Sequence, residues 1–198
     1  GLGVARADRS PGSYALLVEG RPLADLIRPT QVPNLAILPA DPNLAGAEIE
    51  LVALPGREHR LAKAFADQRE AIASFDYIFL DCPPSLGLIT VNALVAASGV
   101  IVPLQTEFFA LEGISQITRT IDRVRRALNP RLALEGIVLT MVDRRNNLSE
   151  LVASDARSFF KDTVFETLIP RNVRVTEAPS HGLPVLLYDF RSPGAQAY

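Results

Sequence analysis

The residues richest in possible chemistry lie in the segment Phe75-Asp76-Tyr77-Ile78-Phe79-Leu80-Asp81-Cys82-Pro83-Pro84. An apolar run delivers a carboxylate at its end, and paired prolines then prevent the strand from continuing. In an open parallel sheet the crevice beyond the carboxyl ends of the strands takes ligands. A single aspartate there can hold the water shell of a Mg²⁺ ion beside a nucleotide. Asp81 is therefore the candidate metal residue, in a water-mediated Walker B arrangement. The strand alone leaves another role open, because an aspartate at this position also serves as a helix cap or turn residue. Cys82 reads as a small apolar packing group rather than a nucleophile. Ser85 has no Gly-x-Ser-x-Gly elbow around it and no histidine in an obvious partner role, so acyl-transfer hydrolysis has little support.

The composition narrows the remaining chemistry. The chain has 198 residues and a net charge of -2, so it is not a basic nucleic-acid binder as a whole, and any such role must come from a local patch. Lys63 and Lys161 are its lysines, and every other cation is an arginine. The single Cys82 excludes an intramolecular disulfide and, with His59 and His181, leaves no Cys/His metal cluster. No apolar run is long enough for a membrane span. A cytosolic setting is expected.

The elements that must position Asp81 follow from periodicity. Short apolar runs alternate with longer stretches of helical period, the pattern of a mostly parallel sheet flanked by helices in three layers. Strands are expected at 34–38, 77–81, 99–104, 134–141, 164–169 and 184–187. Most are nearly continuous in Ile, Leu and Val, as strands buried on both faces must be. The clearest helix runs over 109–128, where Ile114, Ile117, Ile121, Val124 and Leu128 make one apolar stripe. Its opposite face carries Arg119, Arg123 and Arg126, and Asn129-Pro130 ends it. Further helices are expected at 57–74, 86–97 and 148–160, the last with Leu151, Val152, Ala156 and Phe159 inward. Ser192-Pro193 reads as the start of another. One domain, 1–198, accounts for the whole pattern.

Five segments together carry a resemblance. They are Asp81-Cys82-Pro83-Pro84-Ser85-Leu86-Gly87-Leu88, Leu44-Ala45-Gly46-Ala47-Glu48-Ile49-Glu50-Leu51, Phe109-Ala110-Leu111-Glu112-Gly113, Ile169-Pro170-Arg171-Asn172-Val173-Arg174 and Glu177-Ala178-Pro179-Ser180-His181-Gly182. Together, in a match that runs in order over essentially all 198 residues, they closely resemble the ParA/Soj family of partitioning ATPases. The resemblance implies a deviant P-loop ATPase fold that binds ATP with Mg²⁺ and forms an ATP-dependent homodimer. It implies non-specific DNA binding, hydrolysis stimulated by a ParB-type centromere-binding protein, and a cytoplasmic, nucleoid-associated setting without membrane attachment. Pro170, Arg171 and Asn172 resemble the family's adenine-side loop, for which a turn set by proline is the plain alternative. Arg145 and Arg174 resemble positions implicated in DNA contact. Arg144 and the Arg119, Arg123, Arg126 face are further candidates. For Arg145 and Arg174 the alternatives are solvated surface arginines or ion pairs with Asp143 or Glu177. His181 reads as a loop residue.

The departures matter as much. The family opens with a strand and a phosphate loop of the type Lys-Gly-Gly-x-Gly-Lys-Thr, whose glycines permit close backbone approach and whose lysine meets the phosphates. Here Ala62 precedes Lys63 and Phe160 precedes Lys161, so no Gly-Lys pair exists. Gly1-Leu2-Gly3-Val4 resembles the stretch after the family's second acidic segment, so the fold is expected to lack its first strand, P-loop and first helix. No catalytic residue is assigned to this chain, and it is expected neither to bind nor to hydrolyse ATP alone. Two other readings stand beside the first. One is a catalytically dead short paralogue serving as a DNA-binding or ParB-interacting module, and the other is a MinD-like positioning ATPase.

Overall fold

Ile137 and Leu139 are fully buried in the central strand of a three-stranded parallel sheet, as their unbroken apolar context requires. The computed structural model describes residues 1–83, 85–143 and 145–198. In chain order its elements are β1 (Arg28–Pro29), β2 (Ala36–Ile37), α1 (Leu44–Val52), α2 (Arg60–Asp67), α3 (Arg69–Ala73), α4 (Leu88–Ala96), β3 (Gly99–Gln105), α5 (Ala110–Ala127), β4 (Ala133–Val142), α6 (Asn147–Phe160), β5 (Val164–Pro170), α7 (Val173–Glu177), α8 (Val185–Tyr188) and α9 (Pro193–Ala197). They form two compact units, one made of Gly1–Gly3, Gly99–Arg125 and Ala133–Tyr198, the other of Val4–Ser98 and Arg126–Leu132.

The first unit holds the sheet in the order β3-β4-β5. β3 pairs with β4 from Gly99↔Ala133 to Gln105↔Thr140, and β4 pairs with β5 from Ile137↔Val164 to Val142↔Pro170. Both ladders are parallel, so the three carboxyl ends share one rim. The helices α5 and α6 are the crossovers that a parallel sheet demands. In α5 the inward residues are Ile114, Ile121 and Val124, as expected from their spacing. Gly136 in β4 is required by close approach: a Cβ there would lie 2.5 Å from the Phe165 ring of β5.

The second unit buries Ala15, Leu16, Leu17, Leu23, Leu26 and Leu61 as one core. Gly20, at φ 71°, closes the turn over Ala15–Glu19 in a left-handed conformation that costs glycine little. Asn92 of α4 is fully buried and makes three hydrogen bonds. Its Oδ1 accepts from the Leu61 amide at 3.1 Å, and its Nδ2 donates to the carbonyls of Arg57 at 2.7 Å and Leu88 at 2.9 Å. Asn129 similarly donates to the carbonyls of Leu94 at 3.0 Å and Ala97 at 2.7 Å, satisfying the carboxyl end of α4.

Several expectations need correction. No strand forms at 77–81; Tyr77 and Phe79 are 81% and 82% exposed, and Leu80 packs against the core. A doubly buried strand exists only when its backbone groups are paired by neighbours, and among the described residues no segment pairs with this one. The run 184–187 is not strand but enters α8 at Val185, with extended Pro184 as the cap residue before it; four apolar residues cannot by periodicity separate helix from strand. The expected strand 34–38 contracts to β2, antiparallel to β1 and separate from the parallel sheet. The helix expected at 57–74 divides at Gln68, whose ψ of 43° is not helical. In α6 the buried face is Ser149, Val152 and Ala156, whereas Leu151 and Phe159 are 57% and 76% exposed. Cys82 is exposed rather than packed.

Because Asn92 is satisfied at every polar atom, truncating it strands the buried Leu61 amide and the Arg57 carbonyl, while the Leu88 carbonyl keeps its bond within α4. Asn92→Ala is expected to destabilise the protein by about 2–4 kcal/mol in a denaturant titration, at roughly 1–3 kcal/mol per unsatisfied group with partial relaxation.

Candidate functional site

The rim of the parallel sheet supplies the residues of a cavity of about 280 Å³. It opens where β3, β4 and β5 end, the place where parallel sheets take ligands. Thr106 and Glu107 follow β3, Met141 and Asp143 come from the end of β4 and its exit, Asn146, Leu148 and Ser149 from the start of α6, and Arg171 from the residue after β5. Backbone pairing continues past the strands and fixes this wall: the Thr106 amide donates to the Thr140 carbonyl at 3.3 Å and the Arg171 amide to the Val142 carbonyl at 3.0 Å. The buried hydroxyls of Thr106 and Ser149 share a hydrogen bond of 2.6 Å, and Ser149 also accepts from the Asp143 amide at 3.2 Å. Met141 sits at φ 56°, a left-handed conformation uncommon for this side chain, of the kind concentrated at functional sites.

The electrostatics of the rim are largely internal. Asp143 accepts two hydrogen bonds from the Arg145 guanidinium, each of 3.0 Å, and one from the Arg145 amide. These bonds, with the charges of Arg145 and Arg171, hold its carboxyl down to about 2. Arg171 stands 3.7 Å from Glu107. The Arg174 guanidinium donates to Glu177 at 2.8 Å and lies 3.3 Å from Asp189, and Glu177, through its hydrogen bond, raises the Arg174 pKa further.

Of the residues picked out from the sequence, Arg171 lines the cavity, with Pro170 and Asn172 on either side of it along the chain. Asn172 uses its side-chain oxygen to cap α7, accepting from the Arg174 amide at 2.9 Å. Arg145 is exposed beside the rim, and Arg174 lies on α7 rather than on a loop. Both arginines make the ion pairs named as their structural alternative. Arg144 lies outside the described residues. His181 stacks on Tyr188 with ring centroids 4.7 Å apart. Thr106, Ser149 and Asn146 were not visible in advance, since only their place at strand and helix ends marks them.

Asp81 is exposed on a segment without regular structure, in the other compact unit. Its charge, after partial desolvation, helps push the Cys82 thiol up, which disfavours a reactive thiolate. Among the described residues no group of three or more His, Cys, Asp and Glu side chains could cage a metal ion. A lone carboxylate suits Mg²⁺ held through water, because that ion keeps several waters and takes one or two carboxylates with phosphates.

A family model described as an AAA domain matches residues 1–134. The chain is 53% identical to the chromosome partitioning protein ParA of Caulobacter vibrioides over all 198 residues, covering 74% of that protein. It is 48% identical to the sporulation initiation inhibitor protein Soj of Bacillus subtilis, again over its whole length and over 77% of the relative. The chain belongs to the ParA/Soj family. Among solved structures, this ParA/Soj chain is similar to cobyrinic acid a,c-diamide synthase of Mycobacterium smegmatis with bound ADP and magnesium, at TM-score 0.82 and 34% identity. That match covers 100% of this chain and 71% of the other. The cell division ATPase MinD of Pyrococcus furiosus, at TM-score 0.75 and 23% identity over 99% of this chain and 74% of that one, shares the α/β fold.

The pairing of Asp143 with Arg145 has a pH signature. A depressed carboxyl pKa means that the pair's contribution is present above the ordinary aspartate value and is lost as pH falls through about 2. Carbon-detected NMR titration is expected to show Asp143 protonating near that value, and Arg145→Ala to return it towards the usual range of about 3.9. An unchanged midpoint in the variant would place the cause elsewhere.

Proposed function

We propose that this chain carries the sheet, the base-side cavity and the DNA-facing arginines of a chromosome- or plasmid-partitioning ATPase. In this reading the protein is a nucleotide-controlled dimer that binds DNA without sequence preference and answers to a ParB-type partner. The carrying observation is the rim cavity with Arg171 on its wall. Its volume of about 280 Å³ is near the lower end of the roughly 300–1,000 Å³ typical of ligand pockets, enough for part of a nucleotide. The resemblance assigns Pro170, Arg171 and Asn172 to the adenine side, and the ADP and magnesium bound by the 34% identical synthase support a nucleotide with Mg²⁺ for the family. Asp81 is the residue proposed to meet the magnesium's water shell. The metal would supply charge neutralisation at the phosphates.

Phosphoryl transfer depends on a loop and lysine that grip the phosphates, and this chain contains no Gly-Lys pair. A second reading is a non-catalytic DNA- or ParB-binding module. Both readings expect calorimetry with Mg²⁺-ATP to show no tight binding by residues 1–198 alone, and a tight, Mg²⁺-dependent isotherm would reverse this.

The DNA reading depends on arginines that must exchange carboxylate for phosphate. Guanidinium contacts release counterions, so each lost contact lowers the salt slope of binding by about 0.9. In the natural full-length protein with ATP and Mg²⁺ present, Arg145→Ala and Arg174→Ala are each expected to weaken binding equally on all sequences and to reduce that slope by about 1. Fluorescence anisotropy across a salt series measures this, and a slope untouched by both changes rejects their role.

A further inference from the structure

Arg119, Arg123 and Arg126 are all exposed on α5, spaced four and three residues apart and therefore on one face. Some exposed arginines find carboxylates, Arg125 with Asp122 at 2.7 Å, Arg145 with Asp143, and Arg174 with Glu177 and Asp189, whereas others such as Arg69, Arg131 and Arg191 have none among the described residues but stand singly rather than in a row. Among the described residues the three arginines of the row have no hydrogen bond or ion pair of their own. Like charges at these spacings repel and weaken a helix, and Asp122, the one carboxylate of α5 within a turn of the row, offsets that in part while its own hydrogen bond goes to Arg125. We infer that this row is a second surface for the DNA phosphate backbone, additional to Arg145 and Arg174; it rests on the DNA reading above.

The chemistry of the face selects this partner. A membrane-lying helix buries an apolar side, whereas Ile114, Ile121 and Val124 of α5 are already buried within the fold. A protein interface is anchored by buried aromatic or aliphatic residues, and the exposed positions of α5 around the row are Glu112, Gly113, Gln116, Arg125 and Ala127, which offer no such anchor; the exposed Phe109 lies before the helix begins. What remains is a line of forked cations about 10 Å long, set against a polymer with a charge every ~1.7 Å of axis. Guanidinium groups hold phosphate through paired hydrogen bonds.

The test is anisotropy of the natural full-length protein, with ATP and Mg²⁺, on a random-sequence duplex across a salt series. Arg119→Gln, Arg123→Gln and Arg126→Gln together keep good helix formers on an exposed face, and circular dichroism checks the fold. The triple variant is expected to lower the salt slope by about 2–3, and Arg125→Gln, which removes an arginine already paired, by less than about 1. An unchanged slope in the triple variant overturns the inference. If Arg145→Ala and Arg174→Ala still lower it, the DNA reading stands without the row. No DNA binding by the unmodified protein overturns both. Loss of binding to anionic vesicles, with DNA binding intact, overturns the choice of partner.

Discussion

The parallel pairing of β4 with strands on both sides is the constraint from which the rest of the first unit follows. Two ladders running the same way force every connection to cross back over the sheet, and they bring three chain exits to one edge. The cavity is the space those exits leave. Its polar wall is determinate because hydrogen bonding does not stop with the strands: the amides of Thr106 and Arg171 bond to β4, and the Thr106 and Ser149 hydroxyls satisfy each other where water is excluded. A loop of the same residues without the ladder would present Arg171 anywhere in a wide range of positions.

Charge divides the surface arginines into two kinds. At the rim and on α7 they are held by neighbouring carboxylates, in pairs exposed enough to exchange partners at little cost. On α5 the row instead concentrates positive potential on a chain whose total charge is -2. A small acidic excess can thus coexist with a local field of opposite sign.

The sheet was readable because β3 and β4 are largely apolar runs and β5 has apolar residues at both ends, and α5 because Ile114, Ile117, Ile121 and Val124 keep one period across it. The helix α8 was misread because Val185, Leu186 and Leu187 are equally apolar in either conformation, and half-exposure of the last two shows how little packing decides there. On α6, Val152 and Ala156 face inward as their spacing predicts; Leu151 and Phe159 look like better core residues than Ser149, yet Ser149 is the one whose hydroxyl is needed inside. The segment 77–81 shows the limit of pattern reading, since its sequence specifies a strand while only a partner can make it one. At the site, Arg171 was found through the family resemblance and the Asp143–Arg145 pair was open as the alternative for Arg145, but the asparagine cap at 172 and the Thr106–Ser149 contact depend on side-chain geometry that spacing alone does not encode.

Neither compact unit is an unbroken stretch of chain. The second one includes Arg126–Leu132, which lie after part of the first has already been passed. Asn129, whose amide closes the end of α4, belongs to that late stretch. During synthesis on a ribosome, the amino-terminal layer must therefore wait with α4 unfinished until the end of α5 has emerged. Cutting the gene between α4 and β3 would not release the second unit whole, because buried Asn129 and Leu132 would leave with the other half.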